Sequence, residues 1–304
     1  MELAKVGCWF SAKKKKKVNF AEFDSILRKH GFQLVEIDFS NFEEQGPFVA
    51  IVHKITDMMI EAMHGSEVAS RNVQRIQSYI DRNPKLLMID PLEGIRKPPT
   101  ESLIHSPTFT LLTSTNHEEL KQQIRSANVK YPFVCKRNIA HGVESHEMSI
   151  IFNEDGLSDV NPPCVVQTFI DHGALLYKIF VVGTRYHIMK RPSLRNFSDT
   201  RWSNHPTIFF NSHHISSCDS APSKLSTLED GDIPPREINE DLVNKLVQNF
   251  NQEINMTLYG ADIIVCGTTG KHYIIDINVF PGYDGVDDFY QQLSNHISTH
   301  VQTS

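Results

Sequence analysis

No apolar run in this 304-residue chain approaches the roughly 20 residues that a membrane-spanning helix needs, which excludes such a helix. A secretory signal is also missing, because the short apolar patch Val6 to Phe10 is followed by lysines where a cleavage site would carry small residues. Cysteine is scarce. Cys8, Cys135, Cys164, Cys218 and Cys266 lie far apart with no Cys-x-x-Cys spacing, which argues against a zinc site and a disulfide framework and points to a reducing, cytoplasmic compartment. A basic balance is absent too: at a net charge of -6 the chain is not a general nucleic-acid binder, and any polyanion must be met by local lysine and arginine clusters. There is no internal repeat. What remains is an ordinary globular composition, 40% hydrophobic and 22% charged, on a length that suits two lobes or one large domain with a smaller one. A monomer is the expected state.

Residues 1–92 alternate apolar strands (LAKVGCWF, QLVEIDF, PFVAIVHKI, LLMID) with helical segments, one of them NFAEFDSILRKHGF closed by Gly31. That order predicts an open parallel α/β sheet, whose ligands usually lie beyond the carboxyl ends of the strands. The run Lys13 to Lys17 follows the first such strand and Lys54 ends the third. By itself the run reads as a solvated loop; its position raises the alternative of a ligand-facing cluster. Prolines and serines between Pro91 and Pro107 mark a linker, and a helix is predicted over Asn116 to Ala127. The expected division is 1–92, a central lobe over 93–171 and a last lobe over 172–304.

In the central lobe YPFVCKR and MSIIFN flank a glycine-containing loop, with Phe133 and Cys135 on one face and Val134 and Lys136 on the other. A lysine so placed either reaches to solvent or holds a phosphate. Further strands follow in CVVQTFID, LLYKIFVVG and RYHIMKRPSL. Residues 196–236 carry one clear strand, TIFFN, and otherwise read as exposed loop. A helix over Asp241 to about Asn255 should pack Leu242, Leu246, Phe250 and Ile254 on a sheet.

The last strands, YGADIIVCGTTGKHYIIDINVFPG, predict an antiparallel hairpin. A five-residue loop, Gly267 to Lys271, sets Asp262 across from Asp276. On the second strand Asp276 and Asn278 then share one face, and Ile275, Ile277 and Val279 the other. Three oxygen donors without histidine or cysteine suit a hard cation such as Mg²⁺, which typically takes one or two carboxylates plus substrate phosphates and water. Phosphoryl transfer needs such an ion and neutralising lysines more than it needs an acid or base, and no residue is assigned that role.

KYPFVCKRNIAHGVESHEM, PPCVVQTFIDHGALLYKIFVVG, KRPSLRNFS and GADIIV…YIIDINVFPGYDGV, together with HKITD and MIDPL, closely resemble the inositol 1,3,4-trisphosphate 5/6-kinase family over nearly the whole chain. The resemblance implies the ATP-grasp fold (α/β, with an N-terminal open parallel α/β domain) and an ATP- and Mg²⁺-dependent kinase acting on soluble inositol polyphosphates. By the same resemblance Lys136 and Lys178 bind ATP phosphates, Gln167, Thr168, Phe169 and Ile170 form the edge that reads adenine, and Ser193 touches the nucleotide. Asp262, Asp276 and Asn278 become the magnesium ligands. Lys14, Lys54, His141, Lys178 and Gly282 face the inositol phosphate, with His146 and Arg191 as neighbours. The chain departs from the family after MIDPLEGIRK, where a Leu-Asp-Arg element and a helical segment are missing, so the family's ATP-contacting arginine is not carried over to Arg96 or elsewhere. Two rivals stay open at this stage: a catalytically impaired inositol-phosphate-binding isoform, and another ATP-grasp ligase.

Overall fold

The computed structural model describes residues 2–92, 104–137, 146–197, 199–217 and 220–303. The predicted N-terminal sheet forms from β1 (Ala4–Trp9), β2 (Phe32–Glu36), β3 (Phe48–His53) and β4 (Leu87–Met88), all parallel in the order β2-β1-β3-β4. The run of lysines is not the solvated loop of the simplest reading. Ser11 caps a helical turn, α1 (Ala12–Lys15), and Lys14 is buried. Between β1 and β2 lies α2 (Phe20–Lys29), started by Asn19, whose side chain accepts from the Glu22 amide, and ended at Gly31 with φ +85°. After the short α3 (Phe42–Gln45) and β3 come α4 (Thr56–Met63) and α5 (Glu67–Arg82); α5 seals one face with Ile76 and Tyr79. Among the described residues no helix is long and apolar enough to cross a membrane.

The central sheet is antiparallel, in the order β11-β7-β6-β8-β5. It uses β5 (Phe109–Leu112), β6 (Phe133–Arg137), β7 (Glu147–Ile151), β8 (Cys164–Thr168) and β11 (Ile208–Asn211), the last returning from within the 172–304 span. One face, with Phe133 and Cys135, packs on Leu120 and Ile124 of α6 (His117–Ser126), while Val134 faces a second cluster around Ile150 and Phe210.

The third sheet runs β10-β9-β12-β13, from β9 (Leu175–Val182), β10 (Arg185–Pro192), β12 (Leu258–Val265) and β13 (His272–Val279). After β11 comes the short α7 (Ser212–Ser216), and then α8 (Glu240–Ile254), which covers one face of this sheet. Its buried stripe is Val243, Leu246, Val247, Phe250 and Ile254, so the two valines take the place expected of Leu242. On the opposite face Phe180, Val182, Leu258 and Phe280 share a core with Val6, Phe10, Leu27 and Val52 of the N-terminal sheet and with Leu293 and Ile297 of α9 (Phe289–Thr303). Asp90, at the end of the MID segment, locks this junction: its carboxylate accepts the amides of Thr257 and Leu258, the latter at 3.0 Å.

Residues 196–236, expected mostly as exposed loop, are largely exposed or half-buried, and a strap within them is tied to the core through the buried Asn196. Asn196 Oδ1 accepts the Gly173 amide, and Asn196 Nδ2 donates to Ile233 O. Gly173 has φ +64°, and a Cβ there would sit 2.3 Å from Pro235 N. Gly173→Ala is therefore expected to destabilise by at least about 2 kcal/mol, through strain and a backbone clash, measurable as a lower melting temperature.

Candidate functional site

The β12–β13 hairpin places Asp262 across from Asp276, as the sequence predicts, but by a different route. Val265 pairs with His272, so the connection is six residues, Cys266 to Lys271, one more than expected. A register shift between Asp262 and Ile263 restores the pairing. The shift makes Ile275 the extra residue of a bulge, and the greasy face is built by Ile274, Ile277 and Val279 instead of Ile275, Ile277 and Val279. Asp276 and Asn278 lie on the other face, and Asn278 Nδ2 donates to Asp276 Oδ2 at 2.9 Å, leaving Asn278 Oδ1 as the oxygen this amide can offer.

Strand β9 supplies the neighbouring charge. Lys178 is the register partner of Asp262 on its other side, with Nζ 3.4 Å from Asp262 Oδ1. This is a long ion pair, and that oxygen, buried, has no hydrogen-bond partner. Burial pushes the Asp262 carboxyl up to about 6, with Asp276 adding to the rise and Lys178 and Lys136 opposing it. From the central sheet Lys136 reaches across and donates to Ile275 O at 2.7 Å. Burial lowers its pKa against the pull of Asp276 and Asp262. Among the described residues no group of three His, Cys, Asp or Glu side chains could hold a metal ion. Two carboxylates, one with an oxygen held only by the long Lys178 ion pair, and an amide nevertheless fit a hard cation whose remaining ligands are phosphate and water.

The N-terminal lobe closes the other side. Lys14 Nζ donates to Phe280 O at 3.0 Å and Pro281 O at 2.6 Å, and lies 4.1 Å from the Phe280 ring centroid. Burial first, then Lys54 and Lys17, push its pKa down to about 7; a neutral amine still carries the two hydrogens those carbonyls accept. Burial also lowers Lys54, with Lys13 and Lys17 close enough to add to the effect. Gly282 follows in the same turn, where a Cβ would lie 2.7 Å from Asp284 Oδ2. Arg191 donates to Asp284 O at 2.9 Å. Beside the central sheet, His146 just before β7 and His213 of α7 approach with their Nε2 atoms 2.9 Å apart. The charges of Lys13, Lys17 and Asp276 act on His146. His141 and Arg96 lie outside the described residues.

The edge expected to read adenine is partly committed already. The amides of Thr168 and Phe169 donate to Thr108 O and Pro132 O, and the Phe169 side chain is buried in the core. Gln167 is buried on β8, opposite Phe109. The Ser193 hydroxyl is bound not by open cleft but by His172 Nε2 at 2.7 Å, while His172 Nδ1 lies 2.6 Å from Ile170 O. His172 thus braces the edge against the end of β10. In the sequence its only signal is its place in the segment IDHG.

Residues 5–95 match the pre-ATP-grasp domain of inositol 1,3,4-trisphosphate 5/6-kinase, and residues 100–299 match its ATP-grasp domain. The chain belongs to the inositol 1,3,4-trisphosphate 5/6-kinase family. An inositol-tetrakisphosphate 1-kinase of Danio rerio is 40% identical over 319 residues, covering 98% of this chain and 79% of the relative. One of Xenopus laevis is also 40% identical, over 98% and 79%. Among solved structures, a Chryseobacterium gregarium RiPP-associated ATP-grasp ligase in complex with ADP and a leader and core peptide overlays with a TM-score of 0.56 at 11% identity, covering 99% of this chain and 98% of that one. At that identity the likeness concerns the fold, which is ATP-grasp for this family member.

Proposed function

We propose that the cleft between the three sheets moves the γ-phosphoryl group of ATP to a ring hydroxyl of a soluble inositol polyphosphate, with Mg²⁺ held by Asp262, Asp276 and Asn278. The chain is an ATP-dependent inositol polyphosphate kinase by family. The observation that carries the magnesium reading is the buried Asp262 oxygen without a hydrogen-bond partner, facing Asp276 on a rigid strand pair. The ion would supply charge neutralisation at the transferring phosphate. Lys136 and Lys178 hold the ATP phosphates from two sheets, and Gln167, Thr168, Phe169 and Ile170, with Ser193 behind them, form the wall for the base. Lys14, Lys54, His141, Lys178 and Gly282 meet the inositol phosphate, with His146 and Arg191 beside them. No side chain is required to take a proton; placement and neutralised charge carry the reaction. The reading includes a monomeric protein of the cytoplasm, in keeping with Cys8, Cys135, Cys164 and Cys266 as buried free thiols.

The test mixes the protein with ATP, Mg²⁺ and a panel of inositol tris- and tetrakisphosphates and follows ADP and phosphorylated product. Product formation is expected. Binding without product would favour an impaired isoform, and ADP appearing only with a carboxylate and an amine would favour a ligase.

A second measurement reads the lysine cluster. At pH 8.5 the phosphates of the substrate are fully ionised while Lys14, at about 7, is mostly neutral. Polyanion binding should raise the Lys14 pKa and take up as much as about one proton per ligand, seen calorimetrically as a heat that depends on the buffer's ionisation enthalpy. Lys14→Met should abolish the uptake. Uptake unchanged in that variant would remove Lys14 from the inositol phosphate site.

A further inference from the structure

His213 has no role in the reading above, yet it stands where the three lobes meet. Its ring nitrogen Nε2 is 2.9 Å from Nε2 of His146, with ring centroids 3.8 Å apart and planes at 62°. The electrostatic field at His213 includes Lys13 and Lys17 of the first lobe and Lys178 of the last. Its backbone is fixed from both directions. The His213 amide donates to Asn211 Oδ1 at 3.0 Å, and Ser217 Oγ donates to His213 O at 2.6 Å. Asn211 is in turn the β-partner of Glu147, the residue after His146, and donates from Nδ2 to its Oε1 at 2.7 Å. His146 immediately precedes β7 and His213 lies in α7 two residues past β11, so the pairing of Glu147 with Asn211 brings the two imidazoles together.

Two nitrogens at 2.9 Å permit one arrangement of protons between them: one ring carries Nε2–H and the other presents a lone pair. Two imidazolium rings in this position would repel, and partial burial with the nearby Lys13 and Lys17 disfavours the charged form of each. Only one of the two tautomer pairs equips His146 to meet an anion. If His213 donates Nε2–H to His146 Nε2, then His146 must carry its own proton on Nδ1 and presents an N–H donor. The reverse pair leaves His146 Nδ1 a lone pair, which a phosphate oxygen repels.

We propose that His213 is a positioning residue for the inositol polyphosphate, holding His146 as its Nδ1–H tautomer so that this N–H donates to a substrate phosphate. The proposal rests on the kinase reading for the identity of the anion. It explains why a histidine is placed behind another histidine instead of a carboxylate, which would draw a proton onto His146 but cancel charge that the polyanion needs.

The experiment compares wild type, His146→Phe, His213→Phe, the double variant and His213→Gln, whose amide N–H replaces the Nε2–H donor. Inositol 1,3,4-trisphosphate is the probe, with calorimetric Kd, KM for each substrate and the ¹⁵N–¹H imidazole spectrum as readouts. Each Phe variant should weaken inositol 1,3,4-trisphosphate about tenfold, the double variant should be no worse than either single one, and KM for ATP should move less than about twofold. His213→Gln should stay within about threefold of wild type. In wild type His146 should show the Nδ1–H signature, and in His213→Phe the ordinary Nε2–H form. Additive losses, equal losses for ATP, or an Nε2–H tautomer for His146 in wild type would each overturn the proposal while leaving the kinase reading untouched. Wild type that binds the probe without turnover sinks the kinase reading and leaves the pair standing if the Kd pattern holds. A wild type that does not bind the probe ends both.

Discussion

Asp262→Asn is expected to lower turnover by at least about a thousandfold and, at pH 8, to melt several degrees above the wild type. Both effects come from the same carboxylate. Burial pushes its pKa from the ordinary 3.8 up to about 6, and Asp276 adds to the rise. A carboxyl whose folded pKa is raised favours the folded state fully below about 4 and loses that contribution as pH climbs through about 6. Above that range the ionised group costs the folded protein up to about 3 kcal/mol, a penalty that an asparagine of the same shape does not carry. The stability gain should therefore be present at pH 8 and shrink towards pH 4, while activity is lost throughout because the carboxylate proposed to hold the cation is gone. Initial rates with saturating ATP and melting curves at the two pH values check both halves. An active variant would remove Asp262 from the metal site, and a variant less stable than wild type at pH 8 would mean that Lys178 compensates the buried charge.

Arg195→Met should destabilise by about 3–5 kcal/mol, the cost of breaking a buried ion pair from one side. Arg195 pairs with Asp232 at 2.8 Å, with side chains only 4% and 3% exposed. It also bonds to Glu229, and its guanidinium lies 5.6 Å from the Trp202 ring centroid. Arg201 still reaches Asp232 at 2.7 Å, so the stranded carboxylate keeps one partner and the loss falls towards the lower end of the range. The network holds the strap whose Pro234 and Pro235 press on Gly173 and whose Arg236 bonds to Gly267 O, beside the edge assigned to adenine. Loosening it should raise KM for ATP several-fold with less effect on the inositol phosphate. Unchanged melting would show that the strap is held by its backbone contacts alone.

How much of this was legible beforehand varies by residue, for identifiable reasons. The strands of the first lobe and the hairpin carry strong local patterns, and Asp276 and Asn278 interrupt an apolar strand at period two, which is a local signal. The bulge was not legible: Ile274, Ile275 and Ile277 are chemically alike, so no pattern says which isoleucine is extra. Lys14 could not be told from its lysine neighbours, because what buries it is a pair of carbonyls more than 260 positions away. Asp232 reads as an ordinary polar loop residue for the same reason, since it becomes a buried ion only through Arg195. At the nucleotide edge the sequence names Thr168 and Phe169, but only the neighbouring strands reveal that their amides are already bonded.

The sequence by itself determined the family, the order of strands and helices, and the oxygen donors of the last hairpin, because these are set by residues close together in the chain. The tertiary structure decided which lysine is buried, which isoleucine is spare, and that two histidines from separate segments touch. Those outcomes depend on long-range packing, where identical side chains acquire different charges and partners from what is folded against them.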